Sequence, residues 1–384
     1  MKDDSRKYMP RILIITGEAS GDLHGANLAK ALRARAPGVE LVGIGGASMR
    51  AAGVDLVSGV PQLDVMGLIG LSAIRAIVQR VRAIRRLLKA ERWDLVVLID
   101  NPGLNFHFAR VAKAAGQRVL YYIAPQVWAW RPGRMKWIQR RVDHVVVILP
   151  FEARLYQEAG VPCTFVGHPL LDAVAAHYDR EELRRKFGLP VDERVIALLP
   201  GSRSAEVRSL LPTMLEAAEQ LLRREPATQL ILAQASTIDD GVLKSMLQAS
   251  TVLVNVVKEQ ASEVMAVADL VLVASGTATL QAAVVGTPMV LLYRTTWLTY
   301  RLARLLVRVQ WIGLVNLVAG RSVVPELIQE AATGRRTYEE AIRILEDRTV
   351  YDEMKQALSK VKTQLGEPGA SARAAEVVLA ECQI

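Results

Sequence analysis

The sequence predicts an α/β protein made of two doubly wound parallel sheets, each a Rossmann-like half. Short apolar runs rich in Val, Ile and Leu alternate with segments of 3.6-residue periodicity, the βα pattern of a parallel sheet. That alternation pauses near residues 167–193 and then starts again. The length, 384 residues, is about twice that of an ordinary domain.

In the first series the strand-like runs are RILIIT (11–16), ELVGIG (40–45), LVVLID (95–100), RVLYYIA (118–124) and HVVVILP (144–150). A second series follows: RVIALLP (194–200), QLILAQA (229–235), VLVNVV (252–257), LVLVAS (270–275) and PMVLLY (288–293). Near-continuous apolar runs suit strands covered on both faces. Between the series, GHPLLDAVAAHYDREELRRKFGLPVDE has a charged centre and carries Pro169 and Pro190, so the hinge is expected here. The expected domains are therefore 1–170 and 171–350. The remainder, 351–384, is helical and polar, broken by GEPG at 366–369; its return to the first domain is compatible with the pattern but not required by it. There is no fixed-period repeat or low-complexity tract.

Apolar residues make up 51% of the chain and aromatic ones 5%, ample for ordinary cores and unlike a disordered chain. The two cysteines, Cys163 and Cys382, supply neither a disulfide framework nor a CxxC pair, which fits a reducing cytoplasm. A polar start, MKDDSRKYMP, runs straight into a strand pattern, so no signal peptide is expected. VMGLIGLSAIRAIV (65–78) carries Arg75 and falls short of the roughly 18 residues a spanning helix needs. A net charge of +9 favours a polyanionic partner: nucleic acid, anionic lipid or a phosphorylated substrate. Arginine used for solubility gives the same sum. His24, His107, His144, His168 and His177 lack ligand spacing, and no G-x-S-x-G elbow occurs, so neither a metal site nor a hydrolase serine is expected.

Open parallel sheets bind ligands beyond the carboxyl ends of their strands. The first such end, TGEASGDLHGANLAKAL (16–32), has glycines at 17, 21 and 25, a G-x3-G-x3-G spacing rather than the dinucleotide fingerprint. No acid closes ELVGIG, which disfavours nicotinamide or flavin. Glu18 and Asp22 are candidate acceptors for sugar hydroxyls, or else carboxylates favoured by a helix N-terminus. Asp100, closing LVVLID before Asn101-Pro102-Gly103, reads equally as a general base or as a turn cap. In the second half, Gly201, Ser202 and Arg203 stand where a strand becomes a helix, and Ser275, Gly276 and Thr277 repeat the arrangement, with Gln281 one turn on. Helix-terminal N–H groups, small residues and a guanidinium together suit a diphosphate or ribose.

Two stretches point to a membrane surface. Leu71, Ile74, Ile77, Val78, Val81, Ile84 and Leu88 share one helical stripe; Arg75, Arg82, Arg86 and Lys89 share another, with Arg80 and Arg85 between them. Preceded by Met66, Leu68 and Ile69, this reads as a basic amphipathic element for anionic head groups, although a sheet-covering helix with a solvated basic face fits the helix proper better. WAWRPGRMKWIQRR (128–141), with Trp128, Trp130 and Arg131, adds aromatic and cationic character. No nucleic-acid-binding module is recognisable, so nucleic acid is not expected as a partner.

GEASGD, VMGL, YYIAPQVWAW, LPFE, GHPLLD, LLPGSR, SGTATL and NLVAGRSVVPELIQ, in this order from about Arg11 to Glu330, resemble the lipid-A-disaccharide synthases, glycosyltransferases of family 19. The resemblance implies a GT-B architecture, two Rossmann-like domains facing an interdomain cleft. It implies transfer of 2,3-diacylglucosamine from its UDP derivative to the 6-hydroxyl of 2,3-diacylglucosamine 1-phosphate with inversion, no cofactor, and peripheral attachment to the inner face of the cytoplasmic membrane. Onto matching positions it carries Asp100 as the base with Glu18 near it, and Arg203, Ser275, Gly276, Thr277, Asn316 and Glu326 around UDP. Gln281 and Gly70 stand where the family usually has Glu, and Gly103 where it has an acid. Another UDP-sugar enzyme of the same architecture, a non-catalytic binder, and assembly as a homo-oligomer all stay open at this point.

Overall fold

Side chains alternate across a strand, so each strand of a doubly covered sheet must be apolar on both sides. β4 (Leu95–Ile99) shows this residue by residue: Leu95, Val97 and Ile99 join one core and Val96 and Leu98 the other, all fully buried. The computed structural model describes residues 9–17, 19–58, 71–126, 133–297, 300–301 and 310–382. It comprises two units, Met1–Pro169 with Glu367–Ile384, and Leu170–Gly366.

The first unit is built on β1 (Arg11–Ile15), β2 (Glu40–Ile44), β3 (Asp55–Leu56), β4, β5 (Val119–Tyr122), β6 (His144–Val147) and β7 (Cys163–Phe165). They lie in the order β3-β2-β1-β4-β5-β6-β7, all parallel. On one face, α1 (Ala19–Arg35) packs through Leu28 and Leu32 beside the last helix, Ala370–Cys382, which contributes Ala374, Ala375 and Val378. On the other lie α3 (Leu71–Ala90), through Ile84 and Leu88, and α4 (Pro102–Ala114), through Phe108 and Ala112. α2 (Ala47–Ala51) follows β2.

The second unit holds β8 (Val195–Leu199), β9 (Gln229–Gln234), β10 (Asn255–Lys258), β11 (Leu270–Ala274), β12 (Met289–Tyr293) and β13 (Glu326–Ile328), in the order β10-β9-β8-β11-β12-β13, again all parallel. β8 and β11 are central and fully apolar, with Ile196, Leu198, Val271 and Val273 at 0% exposure. One expected strand is shifted: VLVNVV begins to pair only at Asn255, and Leu253 in the irregular segment before it stands 93% exposed. β3, β7 and β13, of two or three residues, are too short to leave a periodic signal.

Candidate active site

In both sheets the strand order reverses between two central neighbours, β1 and β4 in the first unit and β8 and β11 in the second. Such a reversal sends the following helices to opposite faces and opens a crevice at the carboxyl edge. At the first crevice, Ile15 lies opposite Leu98, so Gly17 and Asp100 each stand two residues past the last register pair. A Cβ at position 17 would run into the Asn101 amide, so the close approach of the two turns requires glycine there.

Asp100 and Asn101 both adopt left-handed backbone, with φ of 49° and 44°. This conformation is uncommon without glycine, though Asp and Asn tolerate it best. Asn101 caps α4, its Oδ1 accepting from the Leu104 N–H at 3.4 Å. The helix cap is thus made by Asn101. Burial raises the Asp100 pKa above the ordinary carboxylate value, and the neighbouring Asn101 backbone N–H opposes the shift in part. The Asp100 carbonyl accepts from Tyr121 Oη and Asn105 Nδ2, both at 2.7 Å.

Asp22 does not face outward as a sugar acceptor. Its carboxylate takes the N–H groups of Gly46 (2.6 Å), Ser48 (2.9 Å) and Met49 (3.2 Å), and so holds the N-terminus of α2. Arg80, placed by periodicity between an apolar and a basic stripe, is 3% exposed and donates to the Thr16 carbonyl at 2.6 Å. It braces the exit of β1. Arg75, Arg82 and Arg86 are exposed on the outer side of α3. Glu18, Met66, Leu68, Ile69, Gly70, Trp128, Trp130 and Arg131 lie outside the described residues.

At the second crevice Leu199 lies opposite Val273, which sets Gly201 and Ser275 at one level. Gly201 has φ of 117°, and a Cβ there would come within 2.5 Å of the Glu206 carboxylate. Ser202 and Arg203 lead into the helix Ser204–Arg224, whose first-turn N–H groups have no partner within the helix. The Arg203 guanidinium is exposed and rests on Glu206 at 3.0 Å, a solvated pair worth about 0–1 kcal/mol and readily exchanged for a ligand. Gly276, with φ of 153° and open space where a Cβ would sit, is the N-cap of the helix Thr277–Val285. The unit thus places two helix N-termini side by side.

Gln281 donates through Nε2 to Ser262 Oγ at 2.7 Å, and its amide oxygen remains an acceptor. Asn316 differs from the implied ligand contact. Fully buried, it donates to the Val324 carbonyl (3.0 Å) and Glu326 Oε1 (2.8 Å) and accepts from the N–H groups of Val323 (2.8 Å) and Val324 (3.1 Å). Its amide is fully used, so it shapes the turn instead of touching a ligand. Glu326 is also turned inward, accepting from the N–H groups of Ile312 (2.9 Å) and Gly313 (3.0 Å). Sequence reasoning missed Asn105, Tyr121 and Ser262, whose partners lie one turn, one strand or one helix away.

Among solved structures, the chain is similar to one described as the S. aureus MnaA-UDP co-structure, with a TM-score of 0.66, 15% identity and 96% of each chain covered. It is also similar to CalG4, the calicheamicin glycosyltransferase, with a TM-score of 0.62, 17% identity and coverage of 97% and 98%. At such identities these likenesses establish the fold, which is GT-B. The lipid-A-disaccharide synthase of Geobacter metallireducens is 45% identical over 370 residues, covering 96% of each chain. The family model described as lipid-A-disaccharide synthetase matches residues 12–380. With two parallel sheets, two reversed crevices and this match along nearly the whole chain, the protein belongs to the lipid-A-disaccharide synthetase family of glycosyltransferases.

Proposed function

We propose that the second unit holds the UDP-sugar donor and that the first supplies the base for an acylated sugar phosphate acceptor. In this reading the donor is UDP-2,3-diacylglucosamine and the acceptor 2,3-diacylglucosamine 1-phosphate. Asp100 takes the proton of the acceptor 6-hydroxyl as that oxygen attacks the anomeric carbon from the face opposite UDP. The C–O bond to UDP breaks with inversion, and the bonding pair leaves on the diphosphate. Arg203 and the N–H groups at Gly201–Ser202 and Gly276–Thr277 offset that developing charge. Gln281 takes a ribose hydroxyl through its oxygen. Asn316 and Glu326 act behind these groups by fixing the 312–326 turn.

The observation that supports the base is the division of labour at the β4–α4 turn: Asn101 caps the helix, which leaves the half-buried Asp100 carboxylate for chemistry. The exposed Arg75, Arg82 and Arg86 are assigned to anionic head groups of the membrane that carries both lipid substrates. Among the described residues no helix is long and apolar enough to cross a bilayer. Incubating the purified protein with the acylated pair and reading the product by mass tests the reaction. Disaccharide 1-phosphate and one UDP per turnover are expected; UDP release from a non-acylated donor at the same rate would overturn the donor assignment.

A further inference from the structure

Among the described residues, the non-glycine positions with positive φ are Asp100, Asn101, Ile123, Glu259 and Gln329. Every one follows the carboxyl end of a strand, and three crowd the ends of the neighbouring strands β4 and β5. Ile123 is the most telling, because a β-branched residue is a genuine outlier at φ of 55°. Backbone held in this way persists only where its surroundings over-determine it.

The surroundings of Asp100 do so. Its N–H donates to the Tyr122 carbonyl at 3.2 Å. Its carbonyl receives Tyr121 Oη and Asn105 Nδ2, and Asn105 Nδ2 also reaches the Ile99 carbonyl at 3.0 Å. Asn105 and Tyr121 are 1% and 0% exposed, so water cannot replace either donor cheaply. Burial holds the Tyr121 phenol well above its ordinary pKa, so it remains a donor throughout the neutral range. Gly17 completes the clasp by admitting the Asn101 side chain.

We infer that Asn105 and Tyr121 are positioning residues that lock the left-handed Asp100–Asn101 turn and thereby aim the Asp100 carboxylate. This rests on Asp100 being the base. No step in the chemistry uses either side chain directly.

The experiment measures kcat with the acylated pair, UDP affinity by calorimetry, and amide hydrogen exchange over residues 100–105. Tyr121→Phe keeps the ring and removes the donor. It is expected to lower kcat about tenfold, leave the UDP Kd within about twofold, and speed exchange in the turn while the helix Ser204–Arg224 is unchanged. Asn105→Ala is expected to do the same. A Tyr121→Phe enzyme with parental kcat and parental exchange overturns the proposal, as does a kcat loss without faster exchange in the turn. Asp100→Asn separates the two readings: if it keeps full turnover, the base assignment falls, while the exchange in Tyr121→Phe still decides whether the clamp exists.

Discussion

Two residues past the Ile15–Leu98 pair the first sheet presents Gly17 and Asp100; two residues past the Leu199–Val273 pair the second presents Gly201 and Ser275. Topology is alike, yet the first crevice offers a half-buried carboxylate on strained backbone and the second offers helix N–H groups and an exposed guanidinium. A glycine serves both, but differently. Gly17 lets two turns touch, whereas Gly201 makes room for the carboxylate of its own helix. One sheet geometry therefore presents a carboxylate, or helix N–H groups with a guanidinium, according to a few residues at the strand exits.

Asp100→Asn is the most severe way to break this contrast. Turnover is expected to fall on the order of 10²–10⁴-fold while UDP binding measured by calorimetry stays within about twofold. Arg203→Ala attacks the second crevice. Losing charge-assisted bonds to the diphosphate should weaken UDP about 10- to 100-fold, and a UDP Kd unchanged in that variant would take Arg203 out of the site. Asn316→Ala leaves Glu326 and two N–H groups short of partners. It should cost about 1–3 kcal/mol in urea unfolding, an effect expected even without ligand.

Smaller effects sharpen the comparison. In Gln281→Glu the Ser262 hydroxyl can turn to donate, and a charged acceptor should tighten UDP about threefold. The raised pKa of Asp100 also has a sign for stability. The folded state holds the proton to a higher pH than the unfolded chain, whose value is 3.8, so stability falls as pH rises through that window and stays lower at neutral pH. Asp100→Asn removes that cost and suits left-handed backbone, so its Tm at pH 7 should equal or exceed the parent's while at pH 3 the two converge.

The central strands were legible in the sequence because burial on both faces demands unbroken apolar runs such as LVVLI and LVLVA. Motif order was enough to indicate the family and, through it, the fold. What stayed hidden depends on partners remote in sequence. Asp22 looks available until α2, 24 residues on, arrives at its carboxylate. Asn316 reads as a ligand residue until the 323–324 backbone is seen to occupy both sides of its amide. Asp100 and Asn101 are adjacent and chemically similar, and only one hydrogen bond tells cap from carboxylate. Spacing alone leaves Arg80 between the apolar and basic stripes; the depth of its position against β1 appears only on folding.

The helix Ala370–Cys382 belongs to the unit that begins the chain, seated against α1 and tied by Arg35–Glu376, Arg118–Glu381 and the Arg373 bond to the Val166 carbonyl. During translation, therefore, the opening domain waits with part of one side of its sheet uncovered until the whole of the second domain has been made. A nascent chain halted near Gly366 would expose that greasy flank to chaperones, and a nonsense codon just before the final helix should be as damaging to the first domain as a lesion inside it.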